Sequence, residues 1–224
     1  MAISLFNMLA PHYCCSCGEI GRIICDNCKN NISLQVSQRC LICMRIIRNS
    51  SGLCRRCQSR APFKNAWYVG ERSGALKLLI GAYKFERVGS AYRDIVDLLD
   101  KHVPELPAET IVVPVPTITS HVRQRGFDHA ARLAKELARR RKLSYLSVLH
   151  RQTSVVQHTA TRNERWQQAK QAFVCDSLDA ANCLLIDDIY TTGATLHHAA
   201  EALLDGGAEA VSVAVVARQP TQAK

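Results

Sequence analysis

The sequence has no long hydrophobic run and few aromatic residues. None of its 224 residues belongs to a run of eighteen or more apolar positions, which predicts no membrane-spanning helix. Hydrophobic residues still make up 47% of the chain, which is enough for a buried core and too many for general disorder. The apolar start, residues 1–10, contains no Lys or Arg and does not resemble a secretion signal. We interpret it as a short helix packed on the following domain, with a membrane or partner contact as the alternative, and expect a cytoplasmic protein.

Acidic residues are scarce, and their scarcity is local. The chain has 29 Lys and Arg against 19 Asp and Glu, so its formal net charge is +10. Residues 1–65 contain nine basic and two acidic residues and carry +7; residues 66–224 contain twenty and seventeen and carry +3. A small basic module is a candidate for contact with nucleic acid or another polyanion, although solvated basic side chains need no partner.

Cysteine is abundant, and nine of the eleven cysteines lie between Cys14 and Cys57. Without a secretion signal, pairs two residues apart favour metal ligands over disulfides. Four sulfurs around one ion suit Zn²⁺, with an iron–sulfur cluster as the less favoured alternative. We predict two structural zinc ions that fold residues 1–60 as a double zinc ribbon. The ligands are Cys14, Cys17, Cys25, Cys28, Cys40, Cys43, Cys54 and Cys57.

The spacing alone leaves the pairing of these ligands open. The simplest arrangement joins the first two cysteine pairs in one site and the last two in the other, but an interleaved cross-brace fits the same spacing. Cys15 is a spare, or replaces Cys14 as a ligand. Cys175 and Cys183 lie in or near predicted strands and are expected to be core residues.

Beyond a linker at residues 58–65, helices alternate with strands. Helical spacing of apolar residues predicts helices around residues 75–83, 95–99, 130–138 and 194–204. Apolar runs predict strands at 111–113, 183–186 and 211–216. This alternation indicates an α/β domain over residues 66–224 with a mainly parallel sheet flanked by helices. The basic run at 139–142 suits the C-terminal end of a helix dipole. The polar residues 151–170 are predicted to form a long mobile loop or hairpin.

The most informative segment runs from Leu184 to Thr195, where an apolar strand leads into two carboxylates, a Thr-Thr-Gly loop and a helix. Ligands of open α/β sheets lie beyond the carboxyl ends of the strands, and a loop that opens onto a helix N-terminus points N–H groups at anions. Asp187 and Asp188 are acceptors suited to ribose hydroxyls and to Mg²⁺. The segment therefore predicts a ribose 5-phosphate site rather than a simple helix cap, with its phosphate held by Thr191, Thr192, Gly193, Ala194 and Thr195.

A second polar loop follows the strand that ends at Pro114. Arg123, Arg125 and Gly126 suit a diphosphate, because guanidinium groups bind phosphate oxygens bidentately and glycine allows close approach. Surface arginines before a helix are the alternative. The polar segment at 151–170 could close over the site and exclude water, with contacts from Arg151, Gln157 and Arg162.

The run from Leu184 to Thr195 resembles the phosphoribosyl diphosphate (PRPP) loop of type I phosphoribosyltransferases. That resemblance implies their fold, with PRPP and Mg²⁺ as ligands. It also implies catalytic roles at the ribose hydroxyls for Asp187 and Asp188, and a 5-phosphate role for residues 191–195.

Further segments resemble the ComF/GntX branch of that superfamily, as does the cysteine module in front. They are Val113-Pro114-Val115-Pro116, Arg123-Gln124-Arg125-Gly126-Phe127, Arg151-Gln152-Thr153, Gln157, Arg162-Asn163 and Ala172-Phe173. Asp128-His129 departs from the Asn-Gln that is usual there, so neither residue is assigned a role.

This resemblance implies a function in DNA uptake (natural competence) or in the use of DNA as a nutrient. The partners expected are single-stranded DNA and proteins of the competence machinery. No base-recognition element is visible in the sequence, which favours this role over the alternative, an active phosphoribosyltransferase of nucleotide metabolism or salvage with an unknown acceptor.

Overall fold

A computed structural model describes residues 12–34, 38–85, 90–117, 122–123, 126–152 and 172–220. Several sequence predictions lie outside these residues: the N-terminal helix, Arg125, and Gln157 and Arg162 of the polar segment. Within the described ranges, no helix is both long and apolar enough to cross a membrane.

The centre of the molecule is a parallel sheet of five described strands, in the order β1-β7-β6-β2-β3. These strands are β1 (Asn65–Glu71), β2 (Ile111–Pro114), β3 (Ser144–Tyr145), β6 (Asn182–Tyr190) and β7 (Ala210–Arg218). A separate antiparallel pair consists of β4 (Leu149–Arg151) and β5 (Phe173–Cys175). The described helices are α1 (Asp26–Leu34), α2 (Arg55–Gln58), α3 (Gly74–Phe85), α4 (Ala91–His102), α5 (His129–Arg141) and α6 (Ala194–Asp205).

The predicted α/β class is confirmed, and each predicted helix and strand of the domain is present. In α4 the residues at helical spacing, Ile95, Leu98 and Leu99, are fully buried. In α5 the Asp128 side chain accepts a hydrogen bond from Ala131 N at 3.0 Å and caps the helix. The departure from the family pattern at Asp128 therefore has a local structural role.

Strand β6 is longer than the apolar run predicts. The sequence places the end of the strand at Ile186, whereas β6 continues to Tyr190 and contains both carboxylates. Asp187 pairs with Val215 of β7, so neighbouring backbone keeps this polar segment extended. The sequence does not predict strand β1, because its short apolar run directly follows the predicted linker. In the structure Ala66 to Val69 are buried.

Two cores lie on opposite faces of the sheet. Alternate residues of β6 divide between them: Leu184 and Ile186 belong to the first core, and Cys183 and Leu185 to the second. The first core also contains residues of the cysteine-rich segment, Cys14, Ile23, Ile24, Cys25 and Ile32. The second contains Cys40, Leu41, Ile47, Leu53 and Cys54. The domain boundary between residues 60 and 66 stays a prediction, but cysteines from both halves of the cysteine-rich segment belong to the cores of the sheet.

The segment interpreted as a linker, residues 58–65, is held by contacts. Phe63 is 3% exposed in the second core, and Gln58 donates a side-chain hydrogen bond to Lys64 O at 2.8 Å. Asn65 already belongs to β1 and hydrogen-bonds Ser212 Oγ. The predicted linker is therefore a packed connection, because a buried aromatic anchors it to the sheet.

Candidate functional site

The two predicted ligand loops begin side by side at the carboxyl edge of the sheet. Strand β2 pairs with β6 through Pro114 and Ile186, and Val115 N donates to Ile186 O at 2.9 Å. The chain after Pro114 therefore leaves the sheet beside Asp187. The Asp128 carboxylate holds this chain by accepting from both Thr117 N and Thr117 Oγ1.

The two carboxylates have different surroundings. Asp188 forms an ion pair with Lys84 of α3, and the two side chains are 16% and 12% exposed. Asp187 Oδ1 accepts a hydrogen bond from Asp188 N at 2.8 Å. Burial, followed by repulsion from Asp188, raises the pKa of Asp187 to about 8. A cation or sugar hydroxyls beside Asp187 would relieve both effects, so these carboxylates fit the Mg²⁺ and the diol that the sequence predicts.

Lys84 is a site residue that the sequence analysis missed. It stands four residues after Ile80, which is 1% exposed, on a helix rich in buried residues. A lysine in line with a buried helical position needs a partner, and this is the signal that could have found it. Its ammonium group lies at the acids, where it could also contact phosphate oxygens.

The phosphate loop, residues 191–195, joins β6 to α6. Gly193 has φ +83°, and a Cβ there would stand 2.4 Å from the Tyr190 hydroxyl, so glycine is required. Thr191 and Thr192 are exposed. In the described part of the chain, one hydrogen bond involves the loop's N–H groups, from Ala194 N to Thr192 Oγ1 at 3.4 Å. The other donors can bind an anion.

The predicted diphosphate and mobile-loop residues are only partly described. Arg123 is exposed and Gly126 has φ +86°, while Arg125 lies outside the described residues. Arg151 lies on β4, with its guanidinium 5.3 Å from the Phe173 ring centre. Arg151 is exposed, and partial desolvation of its guanidinium lowers its pKa, a shift that attraction to Asp187 opposes.

His129 marks the other departure from the family pattern. It is 1% exposed, and its ring lies 5.1 Å from Tyr83 and 4.6 Å from Phe127. Tyr83 Oη donates to His129 O at 3.0 Å. His129 therefore packs α5 against α3, the helix that presents Lys84 to the site.

The cysteines form two sets of four. In each set the sulfurs lie within 4.8 Å of one another: Cys14, Cys17, Cys25 and Cys28 form the first cysteine group, and Cys40, Cys43, Cys54 and Cys57 the second. The Sγ atoms of Cys17 and Cys25, and those of Cys43 and Cys54, are 3.6 Å apart. A tetrahedral zinc site with Zn–S distances near 2.3 Å has S–S edges of about 3.8 Å. Neighbouring pairs therefore share each site, the cross-brace is wrong, and Cys15 lies outside both sets.

The second cysteine group lies against the carboxyl edge of the sheet, where the two candidate ligand loops begin. Arg218, at the end of β7, is 6% exposed and donates from Nε to Leu41 O at 2.8 Å. Its guanidinium also lies 6.0 Å from the Tyr190 ring centre, just before the phosphate loop. Cys57 lines one cavity with Thr192 and Gly193. The second cysteine group and the phosphate loop therefore line the same cavity.

The basic residues fall into two classes. The run after α5 is engaged: Arg140 pairs with Asp97 and Glu136, and Arg141 pairs with Asp100 at 2.6 Å. The basic run at the end of α5 is therefore explained by ion pairs with other elements as well as by the helix dipole. In contrast, no ion pair within the described residues involves five arginines around the second cysteine group, Arg45, Arg48, Arg55, Arg56 and Arg60.

Comparisons with known proteins find similarity to a domain family, to curated proteins and to a solved structure. Residues 122–224 match the model of the phosphoribosyl transferase domain. The DNA utilization protein YhgH of Salmonella typhi is 25% identical over 214 residues, covering 85% of this chain and 94% of that protein. The competence protein ComFC of Bacillus subtilis (strain 168) is 24% identical over 199 residues, covering 82% and 79%. A hypoxanthine phosphoribosyltransferase structure from Staphylococcus aureus has a TM-score of 0.34 and 15% identity, covering 60% and 65%.

Proposed function

Because this chain is a relative of the ComFC and YhgH proteins with a phosphoribosyl transferase domain, we propose that it binds PRPP with Mg²⁺ and acts in the uptake or use of DNA. The supporting observation is the succession of Asp187, Asp188 and the phosphate loop at the carboxyl end of β6, beside the start of the second ligand loop. In this assignment the two acids hold the ribose hydroxyls and residues 191–195 hold the 5-phosphate.

Each group of the chain has a chemical role in this proposal. Lys84 holds Asp188 in place and adds positive charge near the diphosphate. The roles predicted from the sequence complete the site: Arg123, Arg125 and Gly126 are assigned to the diphosphate, and Arg151, Gln157 and Arg162 to closure of the polar segment over the ligand. Mg²⁺, when bound, supplies charge that stabilises the diphosphate. The thermal stability of the parent should rise on addition of PRPP with Mg²⁺, by mass action.

Phosphoribosyl transfer is the second candidate function, and the succession of two acids, phosphate loop and helix N-terminus at the carboxyl end of β6 favours it. In that function an acceptor would displace diphosphate at the anomeric carbon of the ribose that the acids hold. Diphosphate release from PRPP, measured with a panel of nucleobases, tests this function. Release with one base supports catalysis, and release with none supports a binding role.

The raised pKa predicts how stability depends on pH. Asp187 binds its proton more tightly in the folded chain than in the unfolded one, so its contribution is complete below its ordinary pKa and is lost as pH rises towards about 8. The loss is at most about 1.4 kcal/mol per pH unit. Asp187→Asn should flatten this decline in thermal unfolding between pH 5 and 8. An unchanged decline in the variant would contradict the prediction.

We also propose that the basic surface of the second cysteine group binds single-stranded DNA. Two four-thiolate zinc sites, each contributing about −2, leave residues 1–65 near +3, so the affinity should be modest and fall with salt. Stacking should add little: Trp67 and Tyr68 are 9% and 7% exposed, and Phe63 is also buried. Tyr13 is 61% exposed, but it precedes Cys14 of the first cysteine group rather than lying in the second.

Charge reversal tests this surface. A variant with Arg45, Arg48, Arg55 and Arg56 changed to Glu should bind single strands at least about tenfold more weakly, and its slope of log affinity against log salt should flatten by up to about 0.7 per arginine. PRPP binding should not change. Arg22→Glu is the control, because Arg22 already pairs with Asp26 at 2.6 Å. Fluorescence anisotropy across salt concentrations measures the affinities of the parent and of the two variants; no binding by the parent at low salt would make the module a structural or protein-contact element.

A further inference from the structure

A cavity of 250 Å³ lies between the second cysteine group and the phosphate loop. Its walls are contributed by Phe63 and Tyr190, which are 3% and 5% exposed, and its rim by Arg56 and Arg60. Thr192 and Gly193 of the phosphate loop form its other side. We call this cavity the loop pocket. PRPP as assigned above does not use it, because the ribose extends from the phosphate loop towards Asp187.

The loop pocket combines an apolar interior with cations at its mouth. Apolar and aromatic walls suit a nucleobase or sugar face, and guanidinium groups suit phosphate oxygens. Both arginines are exposed, and neither has an ion-pair partner among the described residues. At 250 Å³ the pocket is slightly smaller than drug-sized ligand sites of about 300–1,000 Å³. It therefore suits a single nucleoside rather than a larger group.

The loop pocket adjoins the phosphate loop, because Thr192 and Gly193 belong to both. This arrangement indicates which ligand would occupy the two together. A free 5-phosphate ends in the loop, whereas a phosphate esterified on its far side would carry its second sugar into the loop pocket. We propose that the site takes the 3′-terminal nucleotide of a single strand. The 3′-hydroxyl of the terminal sugar, with the 2′-hydroxyl where that sugar is ribose, would lie on Asp187 and Asp188, the phosphodiester in the loop, and the preceding nucleoside in the loop pocket. This inference rests on the proposed ribose 5-phosphate site.

Charge favours a strand over a dinucleotide as the occupant. Beyond Arg56 and Arg60, the exposed Arg45, Arg48 and Arg55 extend the positive surface of the second cysteine group. A dinucleotide would end inside the pocket, whereas a longer strand places further phosphates along this surface. The terminal position follows from the acids, since their oxygens accept hydrogen bonds from a free 3′-hydroxyl, whereas the phosphate that a continuing strand would carry on its 3′ oxygen leaves that oxygen no proton to donate.

The experiment compares short oligothymidylates that differ only at the 3′ end. With a free 3′-hydroxyl, binding to the full-length protein should be at least about tenfold tighter than with a 3′-phosphate, and a 3′-terminal ribonucleotide should bind tighter still. Binding through surface charge alone predicts the opposite order, because the 3′-phosphate adds negative charge. PRPP with Mg²⁺ should compete with the free 3′ end. Equal or tighter binding of the 3′-phosphate overturns the proposal.

Variants locate the strand. Arg56→Glu with Arg60→Glu should weaken oligonucleotide binding more than Arg45→Glu with Arg48→Glu, a matched change of charge outside the pocket, and should leave PRPP binding unchanged. Ala61→Phe fills the pocket without changing charge and should act in the same direction. Equal effects of the two charge variants, or no effect of Ala61→Phe, overturn the pocket assignment. If a 5′–5′ dinucleotide binds more tightly than the oligonucleotide, the occupant of the site is not the end of a strand and the proposal is overturned. Failure of the parent to bind PRPP overturns the proposed function itself.

Discussion

Cys54→Ser with Cys57→Ser is expected to remove one of two zinc ions per chain, lower the melting temperature sharply and abolish PRPP binding. Leu41 and Leu53, which are fully buried beside this cysteine group, share a core with the sheet residue Val213. A structural zinc site contributes about 10–16 kcal/mol of binding free energy, which is as large as the whole stability of a typical domain, about 5–15 kcal/mol. Because Cys57 also lines the loop pocket, the loss should reach Thr192 and Gly193.

Elemental analysis, thermal unfolding and PRPP binding measure these effects together. Cys15→Ser is the matched control: it removes a thiol beside the first group, but Cys15 lies outside both four-sulfur sets. It should keep two zinc ions and full PRPP binding. A parent that carries one metal ion or none, purified without chelator or oxidant, would defeat the two-site prediction.

Removing both acids is expected to abolish the thermal shift that PRPP with Mg²⁺ causes. The ion pair with Lys84 complicates the simplest variant, Asp187→Ala with Asp188→Ala, because it leaves an ammonium group 12% exposed without its partner. Breaking a buried pair from one side costs about 3–5 kcal/mol. The loss of ligand binding and the loss of stability must therefore be separated.

Lys84→Met provides that separation. Asp188→Asn alone should lower stability, and Asp188→Asn with Lys84→Met should recover much of it, because the uncompensated charge is gone. Neither variant should bind PRPP as the parent does. Thermal unfolding with and without PRPP and Mg²⁺ gives both readings. If Asp187→Ala with Asp188→Ala binds PRPP as tightly as the parent, the acids do not hold the ribose.

Local spacing was sufficient for much of this molecule. The two-residue spacing of each cysteine pair identified all eight sulfurs of the two groups, and helical spacing located α3, α4 and α5. The order of apolar run, acids, Thr-Thr-Gly and helix placed Gly193 correctly at the start of α6. These features depend on backbone geometry over a few residues, and such geometry is written in neighbouring side chains.

Local spacing could not predict contacts between segments that are distant in the sequence. Lys84 and Asp188 lie on separate elements, and nothing in either local pattern names the other. Phe63 was placed in a linker because Pro62 and polar neighbours suggested one, whereas the second core buries it. The end of β6 was placed too early, because pairing with β7 overrides the polarity of Asp187.

The sequence by itself determined the four cysteine pairs, the α/β class and the order of the candidate ligand loops along the chain. Only the tertiary structure decided that neighbouring cysteine pairs form one four-sulfur group and that the second group lies against the phosphate loop. The physical reason is that spacing restricts which residues can share a turn or a face. The packing of two cores on one sheet decides which distant turns meet, as when Arg218 at the end of β7 donates its hydrogen bond to Leu41.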